Sequence, residues 1–317
     1  MKLDGVSVSN RFVQAPMAGV TDAAFRTVAR RFHTGLLFTE MISAEGLCRA
    51  NWKTLKYTEI LPDHRPVALQ LVGRDPERIA AAAVLAEKLG IDIIDINAGC
   101  PQVRIAATGS GGALLRSPGK LADIVKQVKS AVSIPVSVKM RLGNSRDESP
   151  ELTRLVQDAG ADFITLHGRT VAQGFSGESD WEAIRNAAAN LDIPVLANGD
   201  ARNEELAVGL LKKTGAAGVM LGRATRGRPD LPGTADSLLN SGSFVRMSSE
   251  TIVKTVTEHA RLERELFGEL AGMKRMRKHV TWYLKAAHLP YETHEVYRME
   301  NADNLESILE KALGAKD

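Results

Sequence analysis

Two hydrophobic rhythms alternate along the chain up to residue 243, and only one continues after it. Short runs of consecutive apolar, often β-branched residues occur at 12–15, 35–39, 66–71 (PVALQL), 91–97 (IDIIDIN), 136–140 (VSVKM), 163–167 (FITLH), 195–198 (VLAN) and 218–221 (GVML). Each is the length of a strand. Between them lie Ala-rich, charged windows with helical start and stop signals. The window 21–32 opens on a Thr-Asp cap signal. The window 76–89 has Asp75 as N-cap, Pro76 in its first turn and Gly90 at its end. The window 118–132 begins in the same way after Ser117, 150–158 stops before Gly160, and 180–190 and 203–213 complete the series.

Strands separated by helices predict parallel pairing, because a parallel neighbour needs a crossover connection. Runs that are apolar at consecutive positions predict strands covered on both faces. Eight such units over residues 1–243 predict an α/β fold of the TIM (β/α)8 barrel type. An open doubly wound sheet would show fewer strands and an early GxGxxG opening a helix, and no such motif opens one here. Beyond it, Val253, Val256, His259, Leu262 and Leu266 follow helical spacing. Gly268 and Gly272 mark an interruption or close packing, Pro290 ends the next window, and a last one covers 304–313. Residues 244–317 therefore read as an all-helical C-terminal domain of three or four helices.

Composition narrows the function. The 317 residues are 44% hydrophobic and carry 41 Lys and Arg against 38 Asp and Glu, which excludes disorder as the main state. A net charge of +3 excludes a charge-driven nucleic-acid wrapper but leaves room for a local basic surface. The helical region is neutral overall, yet Lys274, Arg275, Arg277 and Lys278 crowd into one turn. Cys48 and Cys100 are the whole cysteine content, so a disulfide scaffold is excluded and a reducing, cytoplasmic setting is expected. No apolar stretch reaches the length of a spanning helix, and MKLDGVSVSNRF does not read as a signal peptide, so no membrane association is expected.

A (β/α)8 barrel places its chemistry just past the C-terminal strand ends. The polar residues there are Glu40, Gln70, Asn97 with Cys100, Lys139 with Arg141, His167 with Arg169, Asn198 with Asp200, and Arg223. They are far apart in the chain yet fall on one barrel mouth. No HxH, HExxH or cysteine pair stands at metal-ligand spacing, so no metal is expected.

These residues sit in segments that resemble the tRNA-dihydrouridine synthase family. The segments are APMAGVTDAAFR at 15–26, TEM at 39–41, QLVGRDP at 70–76, DINAGCP at 95–101, GGALL at 111–115 and VKMRLG at 138–143. They continue with LHGRTVAQGFSG at 166–177, ANGD at 197–200, GVMLGRATRGRP at 218–229 and RKHVTWY at 277–283. They occur in family order over nearly the whole chain, and the last looks most like the bacterial B-type subgroup. Three features depart from the family pattern. Ala98 stands where Met is common, Val103 and Arg104 stand where two Lys are frequent, and Asp230-Leu231-Pro232 replaces an aromatic-containing continuation.

The resemblance implies a barrel that binds flavin mononucleotide (FMN), reduction by NADPH (with NADH open), and reduction of uracil C5–C6 bonds in the D-loop of tRNA. It makes Cys100 the general acid that protonates C5 while the flavin delivers hydride to C6. An ordinary thiol is protonated near neutral pH and suits that role. Pro101 keeps Cys100 out of helix. The resemblance places Pro16, Met17 and Ala18 against the flavin, Gln70 at its edge, Lys139 beside its electron-rich side and His167 on its ring or phosphate side. Asn198, Gly199, Asp200, Gly222 and Arg223 would form the phosphate loops, an arrangement common after the last two strands of such barrels. Asn97 would contact the flavin or the target base, Arg104, Arg141 and Arg169 would meet the base or its backbone, and Lys274, Arg275, Arg277 and Lys278 would grip the folded tRNA. No stable protein partner is implied. Two rivals remain at this point: an FMN barrel reductase for a small pyrimidine or enone, and a binding protein without turnover.

Overall fold

The computed structural model of the protein describes residues 1–314. A hairpin of β1 (Lys2–Leu3) and β2 (Val6–Ser7) leads into β3 (Phe12–Gln14). The following strands are β4 (Leu37–Ser43), β5 (Val67–Val72), β6 (Ile93–Ala98), β7 (Val136–Arg141), β8 (Phe163–His167), β9 (Val195–Asn198) and β10 (Gly218–Leu221). Among the described residues β3 to β10 form one eight-stranded parallel sheet, in sequence order around the circle from β4 to β10 and then β3. The circle closes where the Gly35 N–H donates to the Phe12 carbonyl at 3.2 Å and the Gln14 N–H to the Leu36 carbonyl at 3.1 Å. The predicted TIM barrel is therefore the observed fold.

The outer layer comes from the segments between strands. They are α1 (Ala23–Arg31), α2 (Ala44–Cys48), α3 (Trp52–Tyr57), α4 (Pro76–Lys88), α5 (Val103–Ala106), α6 (Pro118–Ala131), α7 (Ser149–Asp158), α8 (Trp181–Asn190), α9 (Glu204–Thr214) and α10 (Leu231–Ser241). The cap signals explain several starts. Asp22 accepts from the Phe25 N–H, Asp75 from Glu77 and Arg78, Asp180 from Glu182 and Ala183, and Asn203 from Leu206. Every residue of β5, β6, β8, β9 and β10 is buried, as consecutive apolar runs require. Leu3 and Val8 cluster with Val13, Phe38, Ala68, Ile93, Phe163, Leu196 and Met220. These lie at or near the strand starts, so the hairpin plugs the N-terminal end of the barrel and the C-terminal end is left for polar groups.

Two differences from the predicted elements have local causes. β4 runs on to Ser43 because its ladder with β5 shifts register between Phe38 and Met41, which carries the polar pair Thr39-Glu40 through the strand as an irregularity. α10 carries no helical window in the sequence pattern, yet Pro232 sits in its first turn, where its missing N–H costs nothing.

Residues beyond α10 form α11 (Ser249–Phe267), α12 (Glu269–Ala286), α13 (Thr293–Arg298) and α14 (Ala302–Gly314). They bury a core of their own around Val256, Met273, Met276, Val280, Tyr283, Met299, Ile308 and Leu309. α11 lies against α1, with Arg31 ion-paired to Glu258 and Lys56 Nζ donating to the Leu266 carbonyl at 2.7 Å. No helix among the described residues is long and apolar enough to cross a membrane.

Candidate active site

Cys100 stands in the loop after β6, half-buried at the barrel mouth. Its position is set by one amide. Asn97 Oδ1 accepts from the N–H groups of Gly99 and Cys100 at 3.2 and 3.0 Å. That use of the oxygen makes Asn97 Nδ2 the donor to Gln70 Oε1 at 2.8 Å, and Gln70 Nε2 then donates to Asp95 Oδ2 at 2.7 Å. Ser137 Oγ donates to the other Asp95 oxygen at 2.6 Å. A directional chain thus runs from a buried carboxylate in β6 to the backbone of the cysteine loop. Burial raises the Asp95 carboxyl to about 6, against the pull of the Ser137 and Gln70 hydrogen bonds. Asp95 lies in mid-strand within an apolar run, and for that reason sequence reasoning missed it.

Lys139, in β7, reaches Asn198 Oδ1 at 3.3 Å, and Asn198 Nδ2 is held by the Met220 carbonyl at 2.8 Å. Burial and the neighbouring Arg141 bring the Lys139 ammonium down to about 8. His167, at the end of β8, is held neutral by burial and by Lys139, Arg141, Arg169 and Arg223. Five basic side chains therefore face one mouth.

Arg141 and Arg169 are more committed than their sequence positions imply. Arg141 Nε donates to the Gly99 carbonyl at 2.9 Å, and its Nη1 donates to the Thr170 and Gly174 carbonyls at 2.8 and 2.7 Å. It ties the cysteine loop to the loop after β8. Arg169 is buried, donating to the Ser176 and Gly177 carbonyls and through Nη2 to both oxygens of Asp200 at 2.9 and 2.8 Å. Burial works to raise the Asp200 carboxyl, yet Arg169 and the Ser179 N–H hold it below the usual carboxylate range. Asp200 thus faces a guanidinium, in a left-handed conformation (φ 57°), while Gly199 at φ 129° packs beside Ser179 and His167.

On the rim, Pro16 and Met17 are half-buried, Ala18 is exposed, and Thr21 Oγ accepts from the Met17 N–H at 3.1 Å. Gly222 has space around it, since a Cβ there would meet nothing nearer than Ala15 at 3.7 Å. Arg223 is exposed and lies 4.3 Å from the Phe175 ring centre, with Arg141 at 5.6 Å from the same ring. Phe175 is an exposed aromatic that the strand-end rule passes over, because it sits eight residues beyond His167. Arg104 is exposed on α5, close in sequence to Cys100.

The basic turn of α12 does not form the outward patch that sequence reasoning expects. Arg275 Nε donates to Glu263 at 2.9 Å, its Nη2 pairs with Asp22, and its guanidinium lies 4.0 Å from the Phe267 ring centre. Lys278 Nζ is bonded to the Gly19 carbonyl. Arg277 Nε donates to the Met299 carbonyl at 2.9 Å. Lys274 is the member of the four that is exposed, 3.8 Å from Glu300. The helix turns three of these cations inward because α12 packs on both the barrel and α13.

The donor set at the mouth fits a phosphate-bearing, electron-rich ligand. Lys139 and the exposed Arg223, beside the open turn at Gly222, are the donors left for it, while Arg141 and Arg169 add positive charge around a neutral His167 with their N–H groups largely engaged elsewhere. FMN has that character.

Comparison with known proteins agrees with this geometry. The family model described as dihydrouridine synthase matches residues 13–313. A probable tRNA-dihydrouridine synthase of Rickettsia bellii is 38% identical over 287 residues, covering 89% of this chain and 88% of that protein. A tRNA-dihydrouridine synthase B of Vibrio cholerae is 36% identical over 291 residues, covering 90% and 89%. Among solved structures, 2-naphthoyl-CoA reductase superposes with a TM-score of 0.57 over 73% of this chain and 50% of that one, at 13% identity, a likeness of fold alone. Identity at the level of the two synthases over nearly the full length of both partners, joined to the family match, places this chain in the dihydrouridine synthase family.

Proposed function

We propose that the protein reduces the C5–C6 double bond of uridines in the D-loop of tRNA to 5,6-dihydrouridine, with FMN bound at the barrel mouth and NADPH as reductant. The observation that carries the reading is the placement of Cys100, a half-buried thiol fixed by the Asn97 amide on a mouth lined with cations. Family membership supplies the uridine substrate, and the mouth supplies groups suited to it.

Lys139, His167, Asn198, Gly199, Gly222 and Arg223 would hold the cofactor, with Pro16, Met17 and Ala18 along its face. Bound there, FMN would supply the hydride for the reduction. The chain's own part is the proton: Cys100 Sγ gives its hydrogen to C5, and the thiolate that remains is reprotonated from solvent before the next turnover. Lys139, charged below about pH 8, would offer a positive charge to the bound cofactor. Arg141 and Arg169 position loops, since their guanidiniums are spent largely on carbonyls and on Asp200. Gln70 and Asn97 act chiefly through the chain that orients Cys100, and Gln70 keeps one N–H for the cofactor edge. The barrel, residues 1–243, would carry the chemistry. The helical region, 244–317, would meet the tRNA through Lys274 and neighbouring exposed groups, with Arg104 nearer the base.

Deletion of the gene tests this in the cell. Dihydrouridine in tRNA, read by mass spectrometry, is expected to fall on deletion and to return with the wild-type chain but not with Cys100→Ala. Full restoration by Cys100→Ala would remove the cysteine from the chemistry.

A further inference from the structure

Away from the barrel mouth, α11 and α12 bring together a group that the reaction does not use. His259 and Glu263 are one turn apart on α11, and His279 faces them from α12. All three are buried, and one ligand atom from each lies within 4.8 Å of the others. His259 Nε2 stands 3.9 Å from Glu263 Oε1. Four polar atoms here have no hydrogen-bond partner: His259 Nε2, Glu263 Oε1 and both ring nitrogens of His279. Buried polar atoms are nearly always satisfied, so such a convergence needs an explanation.

The surroundings orient these atoms inward. Tyr283 Oη lies 3.3 Å from His259 Nδ1, which turns Nε2 to the group. When Nδ1 carries the hydrogen, the tyrosine oxygen accepts it and Nε2 presents a lone pair, the usual outer support of a metal-bound histidine. Arg275 Nε takes the other Glu263 oxygen at 2.9 Å and leaves Oε1 to the histidines. The Phe25 ring closes one side, 5.8 and 5.9 Å from the two imidazoles, and Trp282 lies 5.1 Å from His279. Burial disfavours the charged form of both imidazoles, and burial with Asp22 raises the Glu263 carboxyl. A bound cation would favour neutral imidazoles beside an ionised Glu263.

We propose that His259, Glu263 and His279 form a binding site for a divalent transition cation of the zinc type, clamping α11 to α12 where both meet the barrel. Two imidazole nitrogens and a carboxylate oxygen make a donor set suited to zinc, with water as a fourth ligand. The sequence pattern hides the site, because His279 is sixteen residues from Glu263 and only the helix pairing brings them together. The inference does not depend on the uridine reaction.

The test uses the full-length chain without a polyhistidine tag. Zinc content is measured after purification without chelator, and Co2+ is then titrated into chelator-treated protein. The expected results are close to one zinc per chain and intense visible Co2+ bands of a four-coordinate centre. Glu263→Gln is expected to weaken Zn2+ binding by at least roughly tenfold. Should that variant fail to fold, the Co2+ spectrum of the wild-type chain decides alone. Protein that purifies free of metal and leaves Co2+ with its aqueous spectrum would overturn the proposal and leave the orphaned atoms to buried water. Flavin content and uridine reduction on the same samples report separately on the proposed function.

Discussion

Asn97 shows how much of the site rests on single atoms. Its Oδ1 fixes two N–H groups of the cysteine loop while its Nδ2 holds Gln70. Asn97→Ala frees that loop and strips Gln70 Oε1 of its partner. NADPH reduction of the flavin is expected to continue, while re-oxidation by tRNA slows by roughly one to two orders of magnitude, in line with the loss of reacting-group orientation. Stability is expected to fall by about 1–3 kcal/mol, the cost of an unpaired buried polar group. Rapid-mixing absorbance and chemical denaturation read the two effects. Lys139 makes a second prediction. Its ammonium, brought down to about 8, is charged below that pH and neutral above it. An anionic ligand binds the charged form, so FMN affinity is expected to fall as pH rises through about 8. Lys139→Met is expected to bind more weakly at pH 7 and to flatten the profile, measured by flavin fluorescence titration. The positions of Cys100, Lys139 and His167 at the strand ends were legible from the spacing of the apolar runs, and their roles came only from the family resemblance. What Arg141, Arg169, Arg275 and Lys278 do was not, because a side chain's partners come from loops and helices distant in sequence. Asp95, Glu263 and the partners of His279 were hidden for the same reason, and Asp22 was legible as the cap of α1 but not as the partner of Arg275: each is a polar residue whose reason for burial lies on another element.

At the scale of elements, the strands were readable because both faces of each are covered, which writes a continuous apolar run into the sequence. The short helices α2, α3, α5 and α13 were not, since they carry too few turns to show a period, and α10 was hidden because it opens on Pro232 and Gly233, which read as a turn. Gly268 and Gly272, which the spacing marks as interruption or close packing, do both. Gly268 at φ 82° ends α11, and Gly272 lets α12 approach α11 so closely that a Cβ would meet the Glu263 carbonyl oxygen at 2.6 Å and the Arg264 nitrogen at 2.7 Å. Both neighbours are backbone and cannot swing aside. Gly272→Val is expected to cost about 1–3 kcal/mol of stability by overpacking, seen as a lowered thermal midpoint of the helical region. An unchanged midpoint would show that the helix pair is looser than described.

In the whole molecule, the barrel and the helices meet through charge as well as apolar contact. Arg275 joins Asp22 of the barrel to Glu263 of α11, and Lys278 meets the turn at Gly19, beside Met17 and Ala18. The helical region is thereby fixed to the same turn that borders the mouth, and a tRNA held by it would be presented to Cys100. Membership of the dihydrouridine synthase family, rather than this contact, is what favours a tRNA over a free pyrimidine as the substrate. The most direct measurement is made on protein loaded with FMN, reduced with NADPH without oxygen and then mixed with tRNA lacking dihydrouridine. Rapid re-oxidation of the flavin by that tRNA is expected, with little by free uridine, and dihydrouridine in the D-loop of the product. A reduced flavin indifferent to tRNA but re-oxidised by a small pyrimidine or enone would contradict it.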